Sequence, residues 1–281
     1  MLNKTVTLAN EYEIPSIGFG TWQTPDGVTA VAAVKEALSD GYTHIDCAAV
    51  YGNEKSIGKA LTESGADRSK LFITSKLWNT ERGYDKTIAA FEQTLSDLQL
   101  DYLDLYLIHW TANAKQYPNW REVNADTWRA FEYLYKHGKI KSIGVSNFKK
   151  HHLEALITDC EIKPMVDQIE FHPGFMQEET VSFCRENGIA VEAWSPLGTG
   201  KMLQNETLKA IADKYGVSVA QLCIRWCLQN DVIPLPKSVT PNRIQQNIDV
   251  FGFEITAEDI AVINAMAYCG GSRLDPDEID F

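Results

Sequence analysis

The chain has 281 residues and a mass of 31.5 kDa, with 44% hydrophobic and 23% charged residues. That is the balance of a folded globular chain, not of a disordered, collagen-like or coiled-coil one. Against 38 Asp and Glu stand 26 Lys and Arg, a formal net charge of −12 that argues against nucleic acid and anionic membranes as partners.

No apolar run reaches the ~18 residues of a membrane helix, and Met1–Thr5 lacks the apolar core of a secretory signal. The six cysteines form no C-x-x-C pair, so free thiols in a reducing cytoplasm are expected rather than a disulfide scaffold or a zinc ribbon. No linker or low-complexity stretch divides the chain, and the length suits one α/β barrel, so a single domain over 1–281 is expected.

In chain order, Thr5–Leu8 and Tyr12–Ile14 alternate around Ala9-Asn10-Glu11 and predict a hairpin. Short apolar, β-branched runs then predict strands at Ile17–Gly20, His44–Asp46, Leu71–Lys76, Leu103–His109, Ser142–Val145, Val166–Glu170, Ala190–Trp194 and Val232–Pro234. Helical patterns separate them, at Thr29–Ser39, Glu54–Glu63, Tyr84–Leu98, Asp126–His137, Lys149–Thr158, Glu178–Asn187, Glu206–Tyr215 and Val219–Leu228. Two more follow the eighth strand, at Arg243–Asn247 and Ala257–Met266. Ser218 and Thr256 are placed to cap the helices after them, and Gly41, Gly138 and Gly188 to close the ones before. The alternation predicts an α/β fold, a (β/α)8 TIM barrel with an N-terminal β-hairpin; a doubly wound eight-stranded sheet is the competing architecture.

In a parallel barrel the site gathers at the carboxyl ends of the strands. There the second strand brings Asp46 with Tyr51 five residues on, the third Lys76 and the fourth His109. Each alone has an ordinary reading: a helix cap, a packed ring, a solvated ammonium, a hydrogen-bonded core imidazole. Together they make a proton relay. A tyrosine near pKa ~10 is a weak acid, a neighbouring ammonium lowers that pKa, and a carboxylate keeps the buried ammonium charged. Such a set protonates an oxygen on which negative charge develops, with the imidazole to orient it.

Two nucleotide motifs fail. Gly18-Phe19-Gly20-Thr21-Trp22-Gln23 lacks the third glycine of G-x-G-x-x-G, and the run from Gly52 to Gly58-Lys59-Ala60 has one residue too many and lacks the magnesium-binding hydroxyl. Pro236-Lys237-Ser238-Val239-Thr240-Pro241-Asn242-Arg243 instead offers cations, hydroxyls and a helix N-terminus to a phosphate. His44-x-Asp46, with His109 and His172, permits a metallohydrolase reading, but Lys76 beside them would repel an ion, so no metal is expected. His151-His152 reads as an exposed helix start, and Cys223 and Cys227 as buried apolar-like residues.

Gly41–Asp46 with Ala49–Glu54, Thr74–Lys76, Leu105–Trp110, Gly144–Phe148 and Ile233–Ser238 through Arg243 and Asn247 together resemble the aldo-keto reductase family over nearly the whole chain. The short chain and Pro-Asp-rich end are similar to bacterial members such as the 2,5-diketo-D-gluconate reductases.

The resemblance implies NADPH-dependent reduction of aldehydes or ketones, dicarbonyls and keto-sugars included, by a monomer. Tyr51 would be the proton donor, Lys76 and Asp46 would tune it, and His109 would orient the carbonyl. Ser146, Asn147 and Gln168 would hold the nicotinamide carboxamide, and Trp194 would stack on its ring. Gly20, Thr21, Trp22, Ser195, Leu197 and Gly198 would contact the cofactor, the last three along its pyrophosphate. Lys237, Ser238, Val239 and Arg243 would surround the 2′-phosphate, and Gln246 and Asn247 the adenine. Trp22, Trp78 and Trp110, with Tyr51 and His109, would form the substrate pocket. A steroid double-bond reductase would carry glutamate where His109 stands, and a non-catalytic NADPH-binding subunit would not need the four polar residues.

Overall fold

A computed structural model describes residues 4–281. The chain starts with the expected antiparallel pair, β1 (Thr5–Thr7) and β2 (Glu13–Pro15), with Val6 opposite Ile14. Eight parallel strands follow: β3 (Phe19–Gly20), β4 (His44–Asp46), β5 (Phe72–Leu77), β6 (Leu103–Ile108), β7 (Ile140–Ser146), β8 (Val166–Glu170), β9 (Ala190–Trp194) and β10 (Val232–Pro234). Their order in space is their order in the chain.

The two outer strands meet. The amides of Gly18 and Gly20 donate to the carbonyls of Pro234 and Pro236, each at 3.0 Å. This closes the sheet into a cylinder and excludes the doubly wound alternative. Pro234 and Pro236 have no N–H to return, so the seam is bonded in one direction only, and β3 is shorter than its apolar run. Glycine is required there. A Cβ on Gly18 would lie 2.5 Å from Leu235 Cδ2 and 2.6 Å from His44 Nδ1, and one on Gly20 would lie 2.9 Å from Leu235 O. Both glycines of the failed nucleotide motif are thus seam residues.

Helices wrap the cylinder: α1 (Val28–Ser39), α2 (Glu54–Ser64), α3 (Tyr84–Leu98), α4 (Trp120–Lys136), α5 (Lys150–Asp159), α6 (Glu178–Glu186), α7 (Glu206–Tyr215), α8 (Val219–Gln229), α9 (Pro241–Ile248) and α10 (Ala257–Asn264). Ser218 and Thr256 cap α8 and α10 as expected. The fourth helix begins at Trp120, ahead of the expected Asp126. Its first turns look polar because Asn124 points inward, accepting from Ala112 N at 2.8 Å and donating to Thr111 Oγ1 at 3.0 Å. Cys223 and Cys227 are fully buried, and all six cysteines are free.

The hairpin covers the end of the cylinder where the strands begin. Leu8 and Ile14 are buried, Asn10 Nδ2 donates to Lys141 O at 2.8 Å, and Tyr12 OH donates to Asp104 Oδ1 at 2.8 Å. With that end covered, the opposite mouth is left for a ligand.

Candidate active site

At the mouth, Lys76 is the hub. It extends from β5 and is wholly buried, which costs an ammonium heavily unless it is paired. Its Nζ lies 2.7 Å from each oxygen of Asp46, 3.0 Å from Cys47 O and 3.4 Å from Tyr51 OH. Burial alone would lower its pKa, but Asp46 and then Tyr51 outweigh it and hold the proton firmly above the ordinary lysine value. Tyr51 sits on a short helical turn after β4 and is pushed up to about 12, by burial first, with Lys76 pulling the other way. The ammonium therefore moderates the phenol's pKa without bringing it below the ordinary value. The phenol keeps its proton at neutral pH.

His109 follows β6. Its ring packs edge-on against Tyr51 and Trp78, at centroid distances of 5.6 and 5.3 Å. Burial, then the Lys76 charge, holds its pKa well below the ordinary histidine range. The imidazole is neutral and can serve as a hydrogen-bonding group rather than a cation.

These groups open on a cleft of about 1310 Å³ along the rim. Tyr51, His109, Ser146, Asn147, Gln168 and Trp194 line its floor. Asn147 adopts a left-handed backbone, φ 60°, unusual outside glycine. That conformation is fixed on three sides: Asn147 Nδ2 donates to His109 O at 2.9 Å and Ser146 Oγ at 3.1 Å, and its Oδ1 accepts from Trp194 Nε1 at 2.8 Å. The last bond sets the Trp194 ring as a wall of the cleft.

At one end Lys237, Ser238, Arg243, Gln246 and Asn247 line the cleft, with Ser195 and Leu197 between them and the floor. Lys237 Nζ donates to Gln23 O at 2.9 Å, across the mouth. Neither Lys237 nor Arg243 forms an ion pair among the described residues, so both charges are available to an anion. A flat polar floor, an indole wall and a cationic end suit an extended ligand with an aromatic amide at one end and phosphate at the other.

Away from Lys237, Trp78, Trp110 and Phe281 form an aromatic cluster, and Trp22, Val50 and Leu274 add apolar surface to the cleft. Phe281 stacks on Trp78 at 5.9 Å with the rings 4° apart, and meets Trp110 edge-on at 5.6 Å. The segment after α10 is sewn down to reach there. Ser272 N and Oγ donate to Glu170 at 2.7 and 2.6 Å, and Asn113 Nδ2 donates to Pro276 O and Ile279 O at 2.9 and 3.0 Å.

Most expected site residues line the cleft, and four do not. Lys76 lies behind Tyr51. Thr21 is buried, its hydroxyl donating to Asp46 O at 2.8 Å. Gly198 packs on Met202, and Val239 faces solvent. The sequence singles out none of Gln23, Val50, Leu203, Ser272, Leu274 and Phe281 individually, although the tail after Tyr268, which carries the last three, reads as a determinant of substrate choice. An aromatic residue in an acidic tail was the one available signal for the last.

The metal reading moves. Among the described residues the group close enough to share an ion is His151, His152 and Asp277, not His44, Asp46, His109 and His172. It lies at the start of α5, where His152 is buried rather than exposed and accepts from Lys149 N at 3.2 Å through Nδ1. That bond leaves the proton on Nε2, which faces Asp277 Oδ1 at 3.1 Å, and Lys149 Nζ sits 2.8 Å from Asp277 Oδ2. The cluster is a clasp on the tail.

A sequence model described as the Aldo/keto reductase family matches residues 16–267. A glyoxal reductase of Bacillus subtilis (strain 168) is 50% identical over 280 residues, covering 100% of this chain and 99% of that protein. The crystal structure of an aldo/keto reductase from Brucella melitensis superposes with a TM-score of 0.88 at 45% identity, over 94% of this chain and 99% of that one. A Gox0644 mutant in complex with NADPH superposes with a TM-score of 0.90 at 40% identity, over 100% of both chains. None of these three carries the name of a 2,5-diketo-D-gluconate reductase.

Proposed function

This chain belongs to the aldo/keto reductase family and is an NADP(H)-dependent oxidoreductase acting on carbonyl groups; from that premise we propose that Tyr51 is its proton donor and that small neutral aldehydes, dicarbonyls and ketones are its substrates. NADPH, when bound, supplies the hydride. Gln168, Ser146 and Asn147 would hold the nicotinamide amide, Trp194 would stack on its ring, and Lys237, Ser238 and Arg243 would neutralise the adenosine 2′-phosphate; all of them line the cleft. Gln246 and Asn247, which also line the cleft, would meet the adenine.

His109, as neutral imidazole, hydrogen-bonds the substrate oxygen and sets it against Tyr51. The phenol gives up its proton as negative charge builds on that oxygen. Lys76 stabilises the phenolate left behind, and Asp46 keeps Lys76 charged. The observation that carries this reading is the bridge of Lys76 Nζ from Asp46 at 2.7 Å to Tyr51 OH at 3.4 Å, opening on the cleft.

The substrate end of the cleft is aromatic and, among the described residues, is lined by no lysine or arginine, which favours neutral carbonyl compounds over keto acids. The relative named glyoxal reductase supports the same class. A single domain, a monomer and a cytoplasmic location go with this reading.

Tyr51→Phe is the test. Turnover should fall by about 10²–10⁴-fold, the usual worth of a positioned general acid, while NADPH still binds. Near-normal turnover would remove Tyr51 from the role. A substrate panel of glyoxal, methylglyoxal and glyoxylate assayed by NADPH consumption tests the charge preference, with glyoxylate expected to be poorest.

A further inference from the structure

Under the floor of the cleft lies a carboxyl group that the mechanism above does not use. Glu192, on β9, is fully buried. Its register partner on β8 is Gln168. Gln168 Nε2 donates to Glu192 Oε2 at 2.9 Å and to Asp46 Oδ1 at 2.9 Å. Both amide hydrogens are thereby committed to carboxyl groups. A flip of the amide would set its oxygen against the Asp46 carboxylate, which pairs with Lys76 and has no proton to give, so the orientation is fixed and Oε1 is the group left to a ligand.

Among the described residues, nothing cationic is free to balance a charge on Glu192. Its Oε1 has no hydrogen-bond partner and lies 3.7 Å from His44 Nε2, which contacts Thr74 Oγ1 at 3.0 Å. Burial, and then the Lys76 charge, pushes His44 down to about 3, so that imidazole is neutral. The other charges facing this region, Asp46 and Lys76, already pair with each other. Burial and then Asp46 push the Glu192 carboxyl up to about 8. Around Gln168, the buried Asp46–Lys76 pair and the raised carboxyl of Glu192 therefore favour a Glu192 that keeps its proton near neutral pH.

We propose that Glu192 is a positioning residue for the nicotinamide: it locks the Gln168 amide so that Gln168 Oε1 accepts a hydrogen bond from the cofactor carboxamide, and through the same amide it keeps Asp46 aimed at Lys76. This rests on the cleft being the cofactor site. It also sets an alkaline limit on turnover. As Glu192 ionises, a second negative charge beside Asp46 favours the ammonium of Lys76 and disfavours the phenolate of Tyr51, so the phenol releases its proton less readily.

The experiment measures NADP⁺ affinity by quenching of intrinsic fluorescence for the wild type, Gln168→Leu, Glu192→Leu and Glu192→Gln. The same titrations use the 3-acetylpyridine analogue of NADP⁺, whose ketone has no amide hydrogen to give. Gln168→Leu and Glu192→Leu should each weaken NADP⁺ by about five- to tenfold, the worth of one hydrogen bond, and leave the analogue nearly unaffected. Glu192→Gln keeps an acceptor for Gln168, so it should bind NADP⁺ as the wild type does but lose the fall in kcat above pH about 8.

Equal weakening of both nucleotides by Glu192→Leu would show a merely structural role and overturn the proposal, as would no weakening at all. If Gln168→Leu itself leaves NADP⁺ affinity unchanged, the cofactor reading of the cleft falls, and the proposal with it. If Glu192→Leu does not fold, the Glu192→Gln profile decides: an alkaline limb identical to the wild type overturns the proposal.

Discussion

Two tyrosines sit in the same company at opposite ends of this barrel. At the mouth Tyr51 is grouped with Lys76 and Asp46; at the covered end Tyr12 is grouped with Arg68 and Asp104. Each group has a phenol, a cation and a carboxylate, and the order of contact differs. Tyr51 OH meets the cation, 3.4 Å from Lys76 Nζ, and the carboxylate stands behind. Tyr12 OH meets the carboxylate, 2.8 Å from Asp104 Oδ1, while Arg68 Nη2 lies 2.7 Å from the other oxygen. A cation in contact with a phenol eases release of its proton. A carboxylate in contact turns the proton into a bridge, and burial followed by Asp104 drives the Tyr12 pKa far above the ordinary tyrosine value. On the proposed reading, the same three residue types make an acid in one wiring and a fastener in the other.

The largest expected effect comes from breaking the order at the mouth. Lys76→Met leaves Asp46 buried with Gln168 as its remaining donor and leaves Tyr51 without its charge partner. Removing one member of a buried ion pair costs ~3–5 kcal/mol, so chemical denaturation should show a loss of that size. Turnover of the folded fraction should drop by about 10²-fold or more in NADPH consumption. Retained turnover would mean that Tyr51 gives up its proton without help from the ammonium, and the contrast between the two ends would lose its meaning.

Asp104→Asn breaks the covered end with a smaller expected effect. Asp104 accepts from Tyr12 OH and from Ile73 N at 2.8 Å and pairs with Arg68, so the hairpin, β5 and β6 all hang on it. An amide keeps one acceptor, loses the charge and turns a donor toward its former donors. A stability loss of ~1–3 kcal/mol is expected, with kcat of the folded enzyme unchanged. A fall in kcat without loss of stability would show that the covered end acts on the chemistry.

How far the sequence reveals these two groups depends on how local they are. Asp46, Tyr51, Lys76 and His109 stand at the ends of consecutive strands, so counting strands brings them together, and the closed seam at Gly18 and Gly20 only completes the circle. The network of His44, Gln168 and Glu192 crosses the cylinder from β4 to β8 and β9, and no spacing along the chain reports that meeting. Glu192 in a buried strand looks like an outward-facing charge until the register with Gln168 is known. The tail is similar: Phe281 reaches Trp78 and Trp110 because Asn113, Glu170 and Lys149, far apart in sequence, each hold a part of it. The start of α4 was hidden by Asn124, a polar residue whose inward bonds replace the apolar face that periodicity looks for.

Tyr12→Phe is the smallest perturbation and the sharpest comparison, because it removes the same atom as Tyr51→Phe. At the covered end that atom is one donor among several to Asp104, which keeps Ile73 N and Arg68. The ring also stays packed, with Phe72 at 6.0 Å. The loss should be ~1 kcal/mol, the net worth of one hydrogen bond, and kcat should not change. At the mouth the same deletion should leave stability nearly intact, because Lys76 keeps both oxygens of Asp46, while abolishing most of the turnover. One oxygen atom therefore reads out as stability at one end and as rate at the other. If thermal unfolding and NADPH-consumption assays on the two variants gave the same pattern, contact order would not be what separates a catalytic phenol from a structural one.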